Sequence, residues 1–151
     1  RPIGAGTIAR LADAALRAHL KPYMAALATF AVWLAERSTQ TDFVVATPVA
    51  ARNRVELESL IGAFFNSLPL RLDLSGEPPF DEVIRRVRDT ALEAFAHEDV
   101  AADRVIEAVN PHRDAARTPI AQVAFTFVPA SVRPPSLPGL TASSLASTTT
   151  P

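Results

Sequence analysis

This sequence contains no cysteine, and that absence excludes several kinds of protein at once. Without thiols the chain cannot form a disulfide framework, a thiolate zinc site or a cysteine nucleophile. Glycine is also scarce. Its five residues form neither a dinucleotide-binding fingerprint nor a phosphate-binding P-loop. No nucleotide cofactor is therefore expected. The lack of disulfides agrees with a reducing cytoplasm, which is our expectation for localisation.

The chain also has no excess of one charge and no long apolar run. The formal net charge is -1, with 15 basic and 16 acidic residues mixed along the chain. Such a mixture offers no basic field to attract nucleic acid or an anionic membrane. The longest apolar stretch, residues 24–35, is too short to span a bilayer, and the first residues lack the hydrophobic run of a signal peptide. We therefore expect no nucleic-acid partner and no membrane partner.

The sequence does have a large apolar fraction. Hydrophobic residues make up 48% of its 151 residues, which is enough to bury a core. Several of the 13 prolines follow Val128, where serine and threonine are also frequent. We expect a folded body over residues 1–128 and a stiff, irregular extension over residues 129–151.

Hydrophobic periodicity predicts four helices. The first covers residues 7–19, and the second starts at Pro22 and continues to about residue 37. Apolar side chains surround nearly the whole circumference of the second helix, so it is predicted to be buried. The third starts at Phe80, with acidic residues in its first turn, and a shorter fourth covers residues 101–109.

Three strands are predicted between these helices. Residues 43–47 form a continuous apolar run, typical of a strand covered on both faces, which Pro48 should end. Residues 68–74 alternate between apolar and polar, and residues 120–128 place alternate apolar side chains on one face. Between the first two strands we expect a loop with at most one helical turn. This order predicts an α/β fold with helices packed on a mixed β-sheet, completed by strands from sequence outside this chain.

Few residues look catalytic. The three histidines, at positions 19, 97 and 112, are too far apart in sequence to form a metal-binding pair on one helix, and no G-x-S-x-G nucleophile motif occurs. His97, Glu98 and Asp99 could act as acid-base groups, but a polar cluster at a helix end is more often a cap and a solvated turn. We therefore predict no catalytic residue and no metal site.

Two polar groups allow both a structural and a functional interpretation. Asn66 lies between an apolar run and a strand, where its amide either bridges backbone groups or contacts a substrate. Arg52, Asn53 and Arg54 either pair with the glutamates at positions 56 and 58 or line a cleft. From the residues alone the structural interpretation is favoured for both groups.

Two neighbouring segments match known patterns. Residues 42–62, DFVVATPVAARNRVELESLIG, resemble a D-x-x-x-G-x-P-x-x-G-R pattern, with Ala46 and Ala51 at the two glycine positions. Residues 61–71, IGAFFNSLPLR, are very close to IG-x-F-x-N-T-LP-x-R, with Ser67 at the threonine position.

Three further segments follow in the expected order. Residues 97–107 take the place of an H-Q-D-x-P-F-E segment, with alanine or aspartate at its last three positions. Residues 112–127 resemble R-D-x-S-x-x-P-L-x-Q-V-x-F, with Ala116 at the serine position, and LPGL follows at residues 137–140. In this order the segments resemble the C-terminal lobe of a condensation domain, the amide-bond-forming module of nonribosomal peptide synthetases.

The resemblance implies one lobe of a two-lobed fold of the chloramphenicol acetyltransferase type. It implies that the chain is part of an acyltransferase that joins a carrier-bound thioester donor to an amine acceptor. The expected partners are the N-terminal lobe of the same domain and peptidyl or acyl carrier proteins. No cofactor is bound directly, and the phosphopantetheine arm belongs to the carriers. After residue 128 the resemblance predicts the start of a further strand, cut short.

The resemblance also places residues near the substrate tunnel between the lobes. By position in the motifs these are Asn66, Thr47, Pro48, Arg52 and Asn53. The family's HH-x-x-x-DG motif belongs to the other lobe, and no HH pair occurs here, so the chain alone is predicted to be inactive. Epimerisation domains share the fold, but residues 67–71 favour condensation. A non-catalytic module that docks carrier or tailoring proteins is the alternative, which the alanine replacements mildly favour.

Overall fold

The computed structural model describes residues 6, 13, 15, 20–50, 52, 55–109, 116–128 and 138–140. Helices and strands alternate along the described chain except near its end, where two helices follow one another. In order they are α1 (Pro22–Ser38), β1 (Asp42–Ala50), α2 (Val55–Glu58), β2 (Phe65–Asp73), α3 (Phe80–Ala96), α4 (Ala102–Val109) and β3 (Val123–Ala124).

The three strands form a mixed sheet in the order β2, β1, β3. The central strand β1 runs antiparallel to β2, with Val45 opposite Leu70 and Thr47 opposite Leu68. It runs parallel to β3, with Val45 opposite Val123. The predicted mixed sheet with packed helices is confirmed.

The core lies between one face of this sheet and the helices α1 and α3. Val45, Leu70 and Leu72 point from the strands toward the helices, and all three are buried. They meet apolar side chains from both helices, namely Leu27, Ala28, Ala31, Val83 and Val87. Because neighbouring strand residues point to opposite faces, the residues between them face away from the helices. That second face, defined by Val44, Ala46, Pro48, Phe65, Ser67, Pro69 and Arg71, is half-buried or exposed throughout.

Helix α1 occupies the predicted position, but the prediction that it is buried all round is wrong. Its buried residues form one stripe, and Trp33 on another side is 53% exposed. The Trp33 ring instead stacks on Phe30, with 5.7 Å between the ring centroids. Within the described residues α1 packs against one face of the sheet and against α3, and the side toward them is the one that is buried.

The prediction that Pro48 ends the first strand is also wrong, because β1 continues to Ala50 and β2 contains Pro69. The backbone N–H of Phe125 donates to the carbonyl of Ala46 at 2.8 Å, so the polar groups of Ala46 point toward β3. Pro48 has the same orientation, and Pro69, which lies opposite Ala46, points to the outer edge of the sheet. Neither proline removes a hydrogen bond of the β1–β2 ladder.

The third strand is shorter than the predicted residues 120–128. Ile120 has φ 64°, a left-handed conformation that interrupts an extended run. Beyond β3 the carbonyl of Phe125 accepts a side-chain hydrogen bond from Thr47 instead of extending the ladder. Of the predicted first helix, Asp13 and Ala15 are helical and the rest lies outside the described residues, as does most of the 129–151 extension.

Candidate functional site

The side-chain amide of Asn66 joins three parts of the chain. Its Nδ2 group donates to the carbonyls of Glu98 at 2.9 Å and Val100 at 2.6 Å. Its Oδ1 atom accepts from the backbone N–H groups of Ser67 at 2.9 Å and Ala102 at 3.1 Å. An amide has two donors and two acceptor positions, so all four are in use. The amide fixes the start of β2 to the turn after α3 and caps the first N–H of α4.

The Thr47 hydroxyl connects helix α1 to the residue that follows strand β3. Thr47 is 2% exposed, it accepts a hydrogen bond from the Tyr23 hydroxyl at 3.0 Å, and it donates to the carbonyl of Phe125 at 3.1 Å. The Tyr23 ring contacts Phe95, Phe125 and Phe127, with ring centroids 5.7 to 6.4 Å apart. Burial raises the pKa of Tyr23, and the hydrogen bond to Thr47 partly opposes that shift.

Arg52 organises the connection between β1 and β2. Its guanidinium donates to the carbonyls of Leu57, Glu58, Leu60 and Gly62, with distances of 3.4, 2.8 and 3.2 Å for the last three. Its Cζ atom lies 4.4 Å from the centroid of the Phe64 ring. The expected pairing with Glu56 or Glu58 is wrong for Arg52, which makes no ion pair with another described residue. The planar guanidinium has five N–H donors, and here its NH1 and NH2 groups are used on the carbonyls of this one turn.

The remaining predicted residues are divided between two locations. Pro48 is exposed on the second face of the sheet, opposite Ser67, whereas Thr47 and Asn66 face the helix layer. Asn53 and Arg54 lie outside the described residues. The structure therefore brings Asn66, Thr47, Pro48 and Arg52 to one end of the β1–β2 pair, but not onto one surface.

The polar cluster after α3 has the structural role that the sequence favoured. His97 is the C-cap of α3, where its N–H donates to the carbonyl of Ala94 at 3.1 Å, and the side chains of His97 and Asp99 are exposed. Within the described residues, no group of three or more His, Asp or Glu side chains could hold a metal ion. None of the helices in the described part of the chain is long and apolar enough to cross a membrane.

The contribution of Tyr23 could not be predicted from the sequence. It is the only tyrosine of the chain and lies 24 residues before Thr47, in an apolar helix with no motif around it. A single tyrosine in an apolar helix does not reveal its hydrogen-bond partner in the sequence, because that partner depends on how α1 packs on the sheet. The capping of α4 by Asn66 is equally non-local, since 36 residues separate Asn66 from Ala102.

Comparison with known proteins identifies the family. Residues 3–145 match the Condensation domain family. The chain is 45% identical over 105 residues to malpinin synthetase of Mortierella alpina, and the matched region is 70% of this chain and 1% of that synthetase. The chain therefore spans only a small part of the length of its curated relatives.

Two solved structures have the same fold. One is holo-AB3403, a four-domain nonribosomal peptide synthetase bound to AMP and glycine, with a TM-score of 0.80 and 26% identity over 83% of this chain and 10% of that chain. The other is the X-domain from teicoplanin biosynthesis, with a TM-score of 0.73 and 34% identity over 80% of this chain and 27% of that chain. In both the match lies within a longer polypeptide. This chain belongs to the condensation domain family of nonribosomal peptide synthetases and corresponds to the C-terminal lobe of its two-lobed, chloramphenicol acetyltransferase-like fold.

Proposed function

We propose that this chain forms one wall of the tunnel in which a condensation domain makes an amide bond between two carrier-bound substrates. In that reaction the acceptor amine attacks the thioester carbonyl of the donor, the C–S bond breaks, and the donor thiol leaves as the amine loses a proton. The observation that carries the proposal is the family match over residues 3–145. The N-terminal lobe of the same domain supplies the opposite wall and the histidine motif, and carrier proteins deliver the phosphopantetheine arms.

The proposed lining residues have different roles. Pro48 and Asn53 are proposed to contact the substrate or the pantetheine arm, because Pro48 is exposed on the face that the helices leave uncovered. Thr47, Asn66 and Arg52 shape the wall indirectly, through the main-chain groups to which they are bonded. The contribution of this lobe is positioning, which lowers the barrier by holding the two reacting groups together. No residue of the lobe is proposed to transfer a proton.

The test uses the complete condensation domain and loaded donor and acceptor carriers. We expect amide product with the complete domain and only the uncatalysed background with this chain alone. In the complete domain, Pro48→Trp should obstruct the tunnel and reduce the rate at least tenfold while the melting temperature stays nearly constant. Leu92→Trp, at an exposed position on α3, is the matched control and should leave the rate unchanged. Product from the isolated chain, or equal rates for both variants, would contradict the proposal.

A second candidate function is a non-catalytic condensation-like module that docks another protein. A specific observation favours it: the X-domain also has a solved complex with OxyB, and in that complex it is 33% identical to this chain with a TM-score of 0.74. The alanines at positions 46, 51, 102 and 116 replace residues usual in the family motifs. The sequence of the preceding lobe separates the two functions, because an intact HH-x-x-x-DG motif favours catalysis and its loss favours docking.

A further inference from the structure

Pro48 lacks the donor that the next hydrogen bond between β1 and β3 requires. The two strands are parallel, and the backbone N–H of Phe125 donates to the carbonyl of Ala46 at 2.8 Å. In a parallel ladder the next bond would run from the N–H of residue 48 to the carbonyl of Phe125. Proline has no N–H, so that bond cannot form. Pairing of the two strands accordingly ends at Ala46 and Ala124.

The Thr47 hydroxyl takes the place of the missing donor. It donates to the carbonyl of Phe125, with 3.1 Å between the two oxygen atoms. The side chain of Thr47 points into the helix layer, where it meets Tyr23 of α1. The hydrogen bond therefore turns the carbonyl of Phe125 toward the helices and out of line with the ladder.

Tyr23 fixes the direction in which Thr47 donates. A threonine hydroxyl has a single hydrogen. Because the Tyr23 hydroxyl donates to the Thr47 oxygen at 3.0 Å, the hydrogen of Thr47 is left for Phe125. Thr47 is buried, so water does not compete for it. The Tyr23 ring also contacts the rings of Phe125 and Phe127, with centroids 5.7 and 6.4 Å away. Tyr23 thus holds both the hydroxyl of Thr47 and the chain that follows β3.

Beyond Thr47 the strand β1 has one open edge. Pro48, Val49 and Ala50 pair with β2, and within the described residues they have no strand partner on the β3 side. Pro48 and Ala50 are exposed. Their carbonyl groups have the same orientation as that of Ala46, toward the side on which β3 would continue. The sheet is therefore split at this point, beside the residue that we propose contacts the substrate.

We infer that Tyr23 and Thr47 are positioning residues for amide formation, because their hydroxyl pair holds the carbonyl of Phe125 away from β1 and keeps the split beside Pro48 open. The inference rests on the proposed function, in which the substrate or the pantetheine arm passes Pro48. Neither hydroxyl touches the substrate. If the ladder continued past Thr47, the chain after β3 would lie against the open edge of β1 and narrow the passage at Pro48. A shift of about 1 Å in the reacting groups can reduce a rate about a hundredfold, so the width of the split matters for the reaction.

Hydrogen exchange at a new backbone amide tests the split in this chain. Pro48→Ala supplies the missing N–H on the β3 side of β1. Pro69→Ala is the matched control for an unpaired amide, because Pro69 points to the outer edge of the sheet. With the hydroxyl pair intact, the amide of residue 48 should exchange as fast as that of residue 69. Mass spectrometry with fragmentation resolves the two amides.

Removal of the hydroxyl pair should let the ladder continue. Thr47→Val added to Pro48→Ala releases the carbonyl of Phe125, so exchange at residue 48 should slow severalfold. Tyr23→Phe added to Pro48→Ala should slow it by a smaller factor, since Thr47 can still donate. Slow exchange in Pro48→Ala alone, or the same rate with and without Thr47→Val, would overturn the inference. A rate that Tyr23→Phe leaves unchanged would remove Tyr23 from it.

Amide formation by the complete domain with loaded carriers tests the positioning role. Thr47→Val keeps the shape of the side chain but loses the hydroxyl, and should lower kcat per folded molecule about tenfold with KM for the loaded acceptor carrier unchanged. Thr47→Ser keeps the hydroxyl and should retain the wild-type kcat. Thr29→Val is the control, because it removes a hydroxyl of α1 that bonds only to the carbonyl of Ala25 in the same helix. Equal kcat values for Thr47→Val and wild type, or equal losses in Thr47→Val and Thr47→Ser, would overturn the positioning role.

The two measurements separate the inference from the proposed function. If the unmodified domain makes no amide while residue 48 shows the expected exchange, the proposed function is contradicted and the split stands. If the domain makes amide but residue 48 does not show that exchange, the inference is contradicted and the proposed function stands.

Discussion

Asn66 and Thr47 are polar residues whose hydrogen-bonding groups are engaged inside the protein. Asn66 uses both of its donors and both of its acceptor positions on backbone groups, and Thr47 both donates and accepts. Neither has a free N–H or O–H to offer a substrate. These contacts are those of the structural alternative, and a direct substrate contact by either residue stays a prediction.

Removal of the Asn66 amide should reduce stability. Asn66→Ala removes the side-chain partner of three part-buried groups, the carbonyl of Glu98 and the N–H groups of Ser67 and Ala102, which should lower the free energy of unfolding by about 1–3 kcal/mol. Urea denaturation of this chain measures the loss, with Gln40→Ala at an exposed position as the control. In the complete domain the rate per folded molecule should stay unchanged. Wild-type stability together with a reduced rate would instead place Asn66 in the tunnel.

The Tyr23 and Thr47 hydroxyls should be coupled. Tyr23→Phe and Thr47→Val each remove the 3.0 Å hydrogen bond, and Thr47→Val also removes the hydrogen bond to the carbonyl of Phe125, so each should cost about 1 kcal/mol or more. The double variant should therefore lose less stability than the two single losses added together. A double-mutant cycle by chemical denaturation measures the difference. Simple additivity would show that the two hydroxyls do not interact in solution.

At the scale of elements, α3 is stabilised at its N-terminal turn by Glu82. Arg85 and Arg86 both donate to this carboxylate, at 2.6 and 2.9 Å, and lie three and four residues after it. These hydrogen bonds lower the pKa of Glu82 from 4.5 to about 2. A carboxylate in the first turn is also favoured by the helix dipole.

The stabilisation by Glu82 should depend on pH. Because its pKa is lower in the folded state, the contribution is fully present above about pH 4.5 and is lost as the pH falls toward 2. Glu82→Gln should therefore lower the melting temperature slightly at pH 7, with the difference from wild type disappearing near pH 2. Asp81→Asn, in the same turn, is the control. A difference that persists at pH 2 would mean that shape, and not charge, explains the effect.

At the scale of the whole molecule, one face of the sheet and the neighbouring side chains of Leu60, Ile61 and Phe65 leave apolar surface in contact with water. Exposed large side chains include Trp33, Val55, Ile61, Phe65 and Leu92. The edge strand β2 is better protected. Pro69 has no N–H to offer, and the N–H of Ser67 is taken by Asn66. Addition of a further strand at this edge is therefore disfavoured, and any self-association should use side-chain surface instead.

This chain alone should bind a hydrophobic dye and associate with itself at high concentration. The exposed apolar groups have no partner lobe to cover them, so dye fluorescence per molecule should be several-fold higher than for the complete domain. Light scattering measures the association. Ile61→Ser should reduce both signals, whereas Asp99→Ser should change neither. A monomer that binds no dye at any concentration would contradict this expectation.

The sequence by itself determined the elements and the family. The spacing of Val83 and Val87 predicted α3, and the alternation of Leu68, Leu70 and Leu72 predicted β2. The ordered motifs indicated a condensation domain. Periodicity and motif order can be read along the chain without knowledge of its folding. Tertiary structure decided which residues face which surface. In the folded chain β1 continues past Pro48 and Trp33 is exposed. Pro48 lies on one face of the sheet, and Thr47 and Asn66 lie on the other. Tertiary structure also gave Asn66, Thr47 and Arg52 main-chain partners. Those outcomes depend on how far β1 extends, on how the helices pack on the sheet and on contacts between residues distant in sequence, and a local pattern of residue types does not specify them.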